Sequence, residues 1–218
     1  NYRAIGVENY EATLLNALAE GRGPDVFMLK SAWVARHKDK TYPLPQDVSQ
    51  ITARDFRQKF VDGTADDLVQ PDGSIIGLPL YIETPILVYN QDIFNAAGIA
   101  SAPQVWEEVA KVAKLLTQRT PAGDIKVSGM ALGMARNVSH YFEILSSMLM
   151  QMGEKIIDRQ KNSVSLEENT KNALDFYSSF ASPTRENYGW NARFPNSVDA
   201  FAQEKTAMAI VLHEDLAR

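Results

Sequence analysis

Cysteine is absent from the 218 residues. That absence excludes disulfides, thiolate metal sites and cysteine nucleophiles together, while leaving the compartment open. Histidine is scarce. His37, His140 and His213 never stand at the pair spacing of a His-Glu-x-x-His zinc motif, so no metal or other cofactor is expected. Positive charge is diluted: 22 Lys and Arg face 27 Asp and Glu, a formal net charge of −5. A phosphate backbone needs concentrated basic charge, so no nucleic-acid partner is expected. The one basic cluster, Arg36-His37-Lys38-Asp39-Lys40, is short and interrupted by an acid, and reads as a solvated loop. No apolar run approaches the roughly 18 residues of a membrane span, and the opening residues carry no secretory pattern. The chain starts at Asn1 rather than Met, as a processed protein or an excerpt would.

What is present suits a folded α/β protein. Apolar residues make up 45% and charged residues 22%, enough for a core and too few charges for disorder. Tyr10, Leu14, Leu15 and Leu18 recur at helical spacing, and Gly21 with Gly23-Pro24 ends a helix over residues 9–20. Val26-Phe27-Met28-Leu29 follows as a short, continuously apolar run, the pattern of a strand in a parallel sheet covered on both faces. Residues 41–50 read as a loop, and Phe56, Phe60 and Val61 mark a short helix. Pro71-Asp72-Gly73-Ser74 is a turn expected to join residues 67–69 and 75–77 as a hairpin.

Further along, a short helix over residues 92–97 is closed by Gly98, and Pro103 introduces a longer one with Trp106, Val109, Val112, Ala113 and Leu116 inward. Residues 127–132 can form a strand. Residues 139–152 read as a helix apolar on most sides and therefore buried. Residues 156–158 and 163–165 suggest a small hairpin, and a helix over 168–180 turns Ala173, Leu174, Tyr177 and Phe180 inward. An irregular aromatic loop spans 187–195. Ser197 is expected to cap the helix that holds Phe201, and residues 206–211 form a last buried strand.

Residues 77–94 carry the most unusual chemistry. In Ile82-Glu83-Thr84-Pro85-Ile86 a charge interrupts an apolar run, and Pro85 removes a ladder donor. That combination suits a strand crossing between two lobes, with the Glu83 carboxylate facing a crevice. Tyr81, two residues earlier, shares its strand face. Ser31 and Trp33 follow the residue 26–29 strand at its carboxyl end, where open α/β sheets bind ligands.

Four blocks then occur in order: Leu14-Leu15-Asn16-Ala17-Leu18-Ala19-Glu20-Gly21-Arg22-Gly23-Pro24-Asp25-Val26; the segment from Gly77 to Phe94; Pro103-Gln104-Val105-Trp106-Glu107-Glu108-Val109; and Phe201-Ala202-Gln203-Glu204-Lys205-Thr206-Ala207-Met208-Ala209-Ile210. Together they resemble the bacterial extracellular solute-binding proteins of ABC transporters, in the sugar-binding family that includes maltose-binding protein. The resemblance implies an α/β, two-lobed periplasmic-binding-protein-like fold of type II. It places the amino-terminal lobe at residues 1–82, a hinge crossing at 83–89 and the second lobe at 90–218. Departures accompany it. No strand precedes the first helix, and the second lobe stops at Arg218, so the fold is expected to be incomplete in this chain. Val105 stands where a capping Thr or Ser is usual, and Glu204 where a turn glycine is usual.

The resemblance also implies site residues. Glu83 matches a position that presents a carboxylate to ligand hydroxyls, where ionised oxygens accept paired hydrogen bonds. Trp33 offers a flat face to a sugar ring, with Ser31 beside it. His140, Tyr141 and Glu143 begin a second-lobe helix whose free amides are available, and Phe194 falls near a stacking position. His213 and Glu214 stand where an Asn-Gly-x-Trp type turn is usual, which points to a smaller or more polar ligand. The function implied is non-enzymatic capture of a sugar, oligosaccharide or related polyol, delivered to an ABC permease. The location implied is the periplasm or cell exterior, with membrane attachment only through a lipid anchor outside this chain.

Three alternatives stay open. One is a non-sugar solute such as a polyamine or glycerol phosphate. Another is an interaction module with no small ligand. The last is glycoside hydrolysis by Glu83 and Glu143, which needs carboxylates about 5 Å or roughly 6.5 to 9.5 Å apart.

Overall fold

The computed structural model describes residues 3–154, 156–158, 163–164 and 168–217. The chain divides into two compact units, Asn1–Ile82 and Glu83–Arg218.

Among its described residues the first unit holds five α-helices, α1 (Tyr10–Ala19), α2 (Ser31–His37), α3 (Gln46–Ser49), α4 (Ala53–Lys59) and α5 (Asp62–Leu68), and two 3-10 turns, Val7–Asn9 and Lys38–Lys40. Its buried centre is Phe56, Ala65 and Ile75, ringed by Leu44, Ile51, Phe60, Leu68 and Val69. Phe56 reaches the core because Thr52 starts α4 firmly. The Thr52 hydroxyl accepts the Asp55 amide at 3.1 Å while the Asp55 carboxylate accepts the Thr52 amide at 3.0 Å, a reciprocal cap. The turn at residues 70–74 forms as its chemistry demands, with Gly73 at φ 84°.

Three expectations fail in this unit. The hairpin shrinks to one bridge, Val69 to Ile75, because α5 already contains residues 67 and 68. The loop at 41–50 contains the short α3. The largest correction concerns Val26-Phe27-Met28-Leu29, which is not a strand and leaves Val26 88% exposed. An apolar run becomes a buried strand only where neighbouring strands take up its backbone groups, and no strand runs beside it among the described residues of this unit. Ser31 and Trp33 accordingly sit in the first turn of α2, not at a strand end.

α1 and α2 are tied by charge. Glu11 accepts from the His37 ring Nε2 at 2.8 Å and from Arg36 at 3.1 Å. The His37 hydrogen bond, with Arg36 beside it, holds the Glu11 carboxyl below its usual range. A depressed carboxylate stabilises the fold above its unfolded value, near 4.5, and loses that contribution as pH falls through the lower folded value. Acid titration is therefore expected to loosen α1, read as faster amide exchange over residues 10–19. In Glu11→Gln that acid-side step should vanish, and an unchanged step would contradict the assignment.

The second unit is built on β6 (Met208–Val211), whose four residues are all buried. On one side β1 (Ile86–Tyr89) pairs with it antiparallel, Ile86 opposite Val211 and Tyr89 opposite Met208. On the other side residues 128–131 run parallel to it: the Ala207 amide donates to the Ser128 carbonyl at 2.8 Å and the Ala131 amide to the Met208 carbonyl at 3.0 Å. That layer is mixed rather than all parallel, and the expected strand over 127–132 is only its bridge partner. Two further pairs are small and antiparallel: β2 (Gln118–Arg119) with β3 (Ile125–Val127), and β4 (Ile157–Asp158) with β5 (Ser163–Val164). The turn expected between β4 and β5 lies outside the described residues.

α6 (Gln91–Ala96), α7 (Trp106–Leu116), α8 (Tyr141–Gln151), α9 (Glu168–Ser179) and α10 (Ser197–Ala202) complete the unit. α7 turns Val109, Ala113 and Leu116 into the core as its spacing predicts. α8 and α9 are less buried than their composition suggests, with Phe142, Met150 and Leu174 exposed. Periodicity assigns residues to a face but cannot say whether anything covers that face. Asn196, not Ser197, caps α10, its side chain accepting the Val198 amide at 3.1 Å.

α10 ends with the Glu204 amide donating to Phe201 and the Lys205 amide to Ala200, at 3.0 and 2.8 Å. This closure drives its pivot residue into the left-handed region. α6 ends the same way on Gly98 at φ 70°, whereas α10 uses Glu204 at φ 57°. A side chain there costs about 1 kcal/mol or more, partly offset by glycine's looser unfolded state. Glu204→Gly is expected to stabilise by about 0.5 to 1 kcal/mol, raising the melting temperature by about 2 °C. A fall on melting would show that Glu204 makes a compensating contact.

Candidate functional site

Antiparallel register brings distant sequence together. The β1–β6 pairing ends at Ile86 and Val211; Glu83 and Tyr81 lie before it in chain that is not strand, so the expected strand face shared by the two does not form. The Glu214 backbone amide donates to the Glu83 carboxylate at 3.3 Å. Glu214 belongs to the short 3-10 helix His213–Ala217 that follows β6. Two residues predicted from separate motifs thus meet at one end of the strand pair.

The start of α8 joins them. His140 precedes Tyr141 in a left-handed conformation, φ 57°, and its ring Nε2 lies 2.7 Å from the Asp215 carboxylate. The same Asp215 oxygen accepts the Leu212 amide at 3.1 Å. Tyr141 and Glu143 are exposed in the first turn of the helix so anchored. His140 itself is mostly buried, its side chain 19% exposed against 4% for Asp215.

Upstream of His140 the chain is stitched to the aromatic loop. The Asn137 side-chain amide donates to the Asn191 and Phe194 carbonyls at 3.0 and 3.1 Å, and the Trp190 indole donates back to its oxygen at 3.0 Å. The Ser139 amide donates to the Ser197 hydroxyl at 2.9 Å. From α9, the Tyr177 hydroxyl donates to the Met134 carbonyl at 3.0 Å. Burial pushes that hydroxyl well above its usual range, so it stays a donor. Phe194 stacks on Trp190 with ring centres 4.5 Å apart and planes 13° apart. One face of Phe194 is thereby committed to the core.

Glu83, Glu214, His140 and Tyr141 are therefore linked within the second unit. Ser31, Trp33 and Tyr81 belong to the first unit: Ser31 is exposed, Trp33 is half-buried with the Lys30 ammonium 5.8 Å from its ring centre, and Tyr81 is 63% exposed. An open depression of about 350 Å³ near α6 and the end of α7, bordered by Asp92, Leu115 and Glu204, contains none of these candidates. Sequence reasoning missed Asp215 and Asn137. Each is a buried polar residue, Asn137 in irregular chain and Asp215 in a 3-10 helix too short for periodicity to mark it. Among the described residues no group of three or more His, Asp or Glu could hold a metal ion.

A family model described as bacterial extracellular solute-binding protein matches residues 1–216. The chain belongs to that family. Membership places it outside the cytoplasm, in the periplasm or at the cell exterior. A curated relative, the sn-glycerol-3-phosphate-binding periplasmic protein of Agrobacterium fabrum, is 35% identical over 77 residues, 34% of this chain and 16% of that protein.

Three solved structures show the fold. A cyclic alpha-maltosyl-1,6-maltose binding protein from Arthrobacter globiformis matches at TM-score 0.73 and 13% identity, over 97% of this chain and 52% of its own. An ABC substrate-binding protein from Listeria monocytogenes, in complex with cycloalternan, matches at 0.72 and 19%, over 97% and 53%. The sugar-binding protein MalE from Xanthomonas citri matches at 0.71 and 20%, over 100% and 53%. The chain has their two-lobed α/β periplasmic-binding-protein-like fold, type II, and spans about half the length of these proteins.

Proposed function

We propose that this chain is the solute-binding component of an ABC importer, capturing a neutral sugar, oligosaccharide or related polyol for a membrane permease without reacting it. The observation that carries the reading is the chain of contacts at one end of the β1–β6 pair: the Glu214 amide on the Glu83 carboxylate, and His140, the residue before Tyr141, on Asp215, the residue after Glu214. Carboxylates accept paired hydrogen bonds from adjacent hydroxyls. Tyr141, the residue after His140, is an exposed aromatic at the start of α8. The family and the sugar-binding relatives point the same way.

On this reading Ser31, Trp33, Tyr81, Glu143 and Phe194 are further ligand contacts, the compact units are the two lobes, and residues 83–89 are the crossing. Closure of the lobes over the solute is the implied mechanism. Any membrane attachment would be by a lipid anchor outside these residues; among the described residues no helix is long and apolar enough to cross a membrane.

A second reading, a glycerol phosphate, is favoured by the Agrobacterium fabrum relative. The acids argue against it, because Glu83, Glu143 and Glu214 would repel a phosphate dianion. Titration calorimetry against neutral sugars, polyols, polyamines and glycerol phosphates separates the readings. Heat is expected from a neutral sugar or polyol, with Glu83→Gln weakening binding by about tenfold. Heat from glycerol phosphate alone would establish the second reading, and silence from every class would leave the interaction-module alternative.

A further inference from the structure

His140 poses a puzzle that the solute-contact reading does not absorb. The residue before a helix usually caps it with its own side chain, yet His140 makes no such bond and adopts a left-handed backbone at φ 57°, which costs a non-glycine residue about 1 kcal/mol or more. Something outside α8 must hold it there. Among the described residues its ring is tied to Asp215, 2.7 Å away.

Asp215 is built for fixing rather than for contact. Its side chain is 4% exposed, so it cannot reach a solute. One oxygen serves two donors: the His140 ring and the Leu212 amide at 3.1 Å. The Leu212 bond is a reach-back cap that sets the first turn of the 3-10 helix His213–Ala217. That turn aims the Glu214 amide at Glu83, 3.3 Å away. Through its other bond the same oxygen sets the start of α8, and with it Tyr141. A hydrogen bond in a buried setting is stronger than its exposed counterpart.

We infer that Asp215 is a positioning residue of the binding site, fixing the start of α8 relative to the Glu83–Glu214 pair so that Tyr141 and Glu83 address the same solute. The inference rests on the solute-binding reading above. It names a residue that touches no ligand, and it gives the strained His140 backbone a purpose: the left-handed turn is what brings the ring to Asp215.

The test compares Asp215→Ala and Asp215→Asn in the full chain, with two readouts taken well below the melting temperature. One is calorimetric affinity for whichever sugar or polyol the wild type binds. The other is amide exchange over residues 139–145, which needs no ligand. Asp215→Ala is expected to weaken affinity about tenfold and to speed exchange over 139–145. Asn keeps an oxygen that can accept both bonds, so Asp215→Asn should restore both readouts to within about threefold of the wild type. Unchanged exchange in the alanine variant overturns the inference, as does faster exchange at unchanged affinity. An asparagine variant as impaired as the alanine variant also overturns it, since hydrogen-bond positioning would then not be what the carboxylate supplies. A wild type that binds no solute sinks the underlying reading instead, whereas wild-type binding with a silent Asp215→Ala sinks this inference alone.

Discussion

Replacing Gly129 by alanine is expected to be among the most damaging single-methyl changes available in the second unit. A Cβ at that position would lie 1.9 Å from the Ala113 carbonyl oxygen, 2.5 Å from its carbon and 2.6 Å from its Cα. All three are backbone atoms of α7, so no side-chain rotation relieves the overlap; the helix must lift away from residues 128–131. Lifting it disturbs Val109, Ala113 and Leu116, which are buried in the same core as β6. It also pulls Thr117 from its place, where the hydroxyl accepts the Gly129 amide at 3.1 Å and donates to the Ala113 carbonyl at 2.7 Å. Overpacking by a methylene costs about 1 to 3 kcal/mol where side chains can yield, and more where they cannot. A loss of about 3 kcal/mol or more is expected, lowering the melting temperature by roughly 6 to 12 °C. The near-ultraviolet dichroism of the fully buried Trp190 is the probe. A shift under about 2 °C would mean that α7 yields cheaply.

How far the sequence foretold this arrangement depends on whether a feature is local. The closing turn at Gly98, the inward face of α7 and the continuous burial of β6 all follow from spacing and residue type, and all are present. Val26-Phe27-Met28-Leu29 looked equally strand-like, yet its fate depends on neighbours that no local pattern encodes. The same limit explains Phe142 and Leu174, apolar residues on helices whose outer faces stay exposed. For the site, the motif at Glu83 and the helix start at His140 were legible one by one. Their meeting was not, because it needs the register of β1 on β6, strands separated by most of the second unit. Asp215 and Asn137 were illegible for a different reason: a polar residue in a loop or a short 3-10 helix looks solvated until its partners are known.

Asn137 gives the second large expected effect. It is buried, yet its side chain is bonded on both sides: two N–H donors to the Asn191 and Phe194 carbonyls, and one oxygen accepting the Trp190 indole. Its own carbonyl accepts the Ser197 amide at 2.9 Å. Asn137→Ala leaves a fully buried indole N–H and two carbonyls without these partners. Each unpaired buried group costs about 1 to 3 kcal/mol, and the deleted amide leaves a void beside Trp190. A loss of about 3 to 4 kcal/mol is expected. Asn137→Asp sharpens the argument, because the shape is kept while both donors are lost and a negative charge faces two carbonyl oxygens. That environment raises the new carboxyl's folded pKa above its unfolded value. A raised carboxyl destabilises at neutral pH, and the loss is recovered as pH falls and the protonated acid regains one donor. Chemical denaturation at pH 7.5 should therefore find Asn137→Asp no more stable than Asn137→Ala, and at pH 5 the aspartate variant should move ahead. Equal ranking at both values would show that the stitch acts by filling space, not by donating. Because Asn137 lies three residues before His140, loosening it should also shift the start of α8. The alanine variant is thus expected to lose solute affinity along with stability.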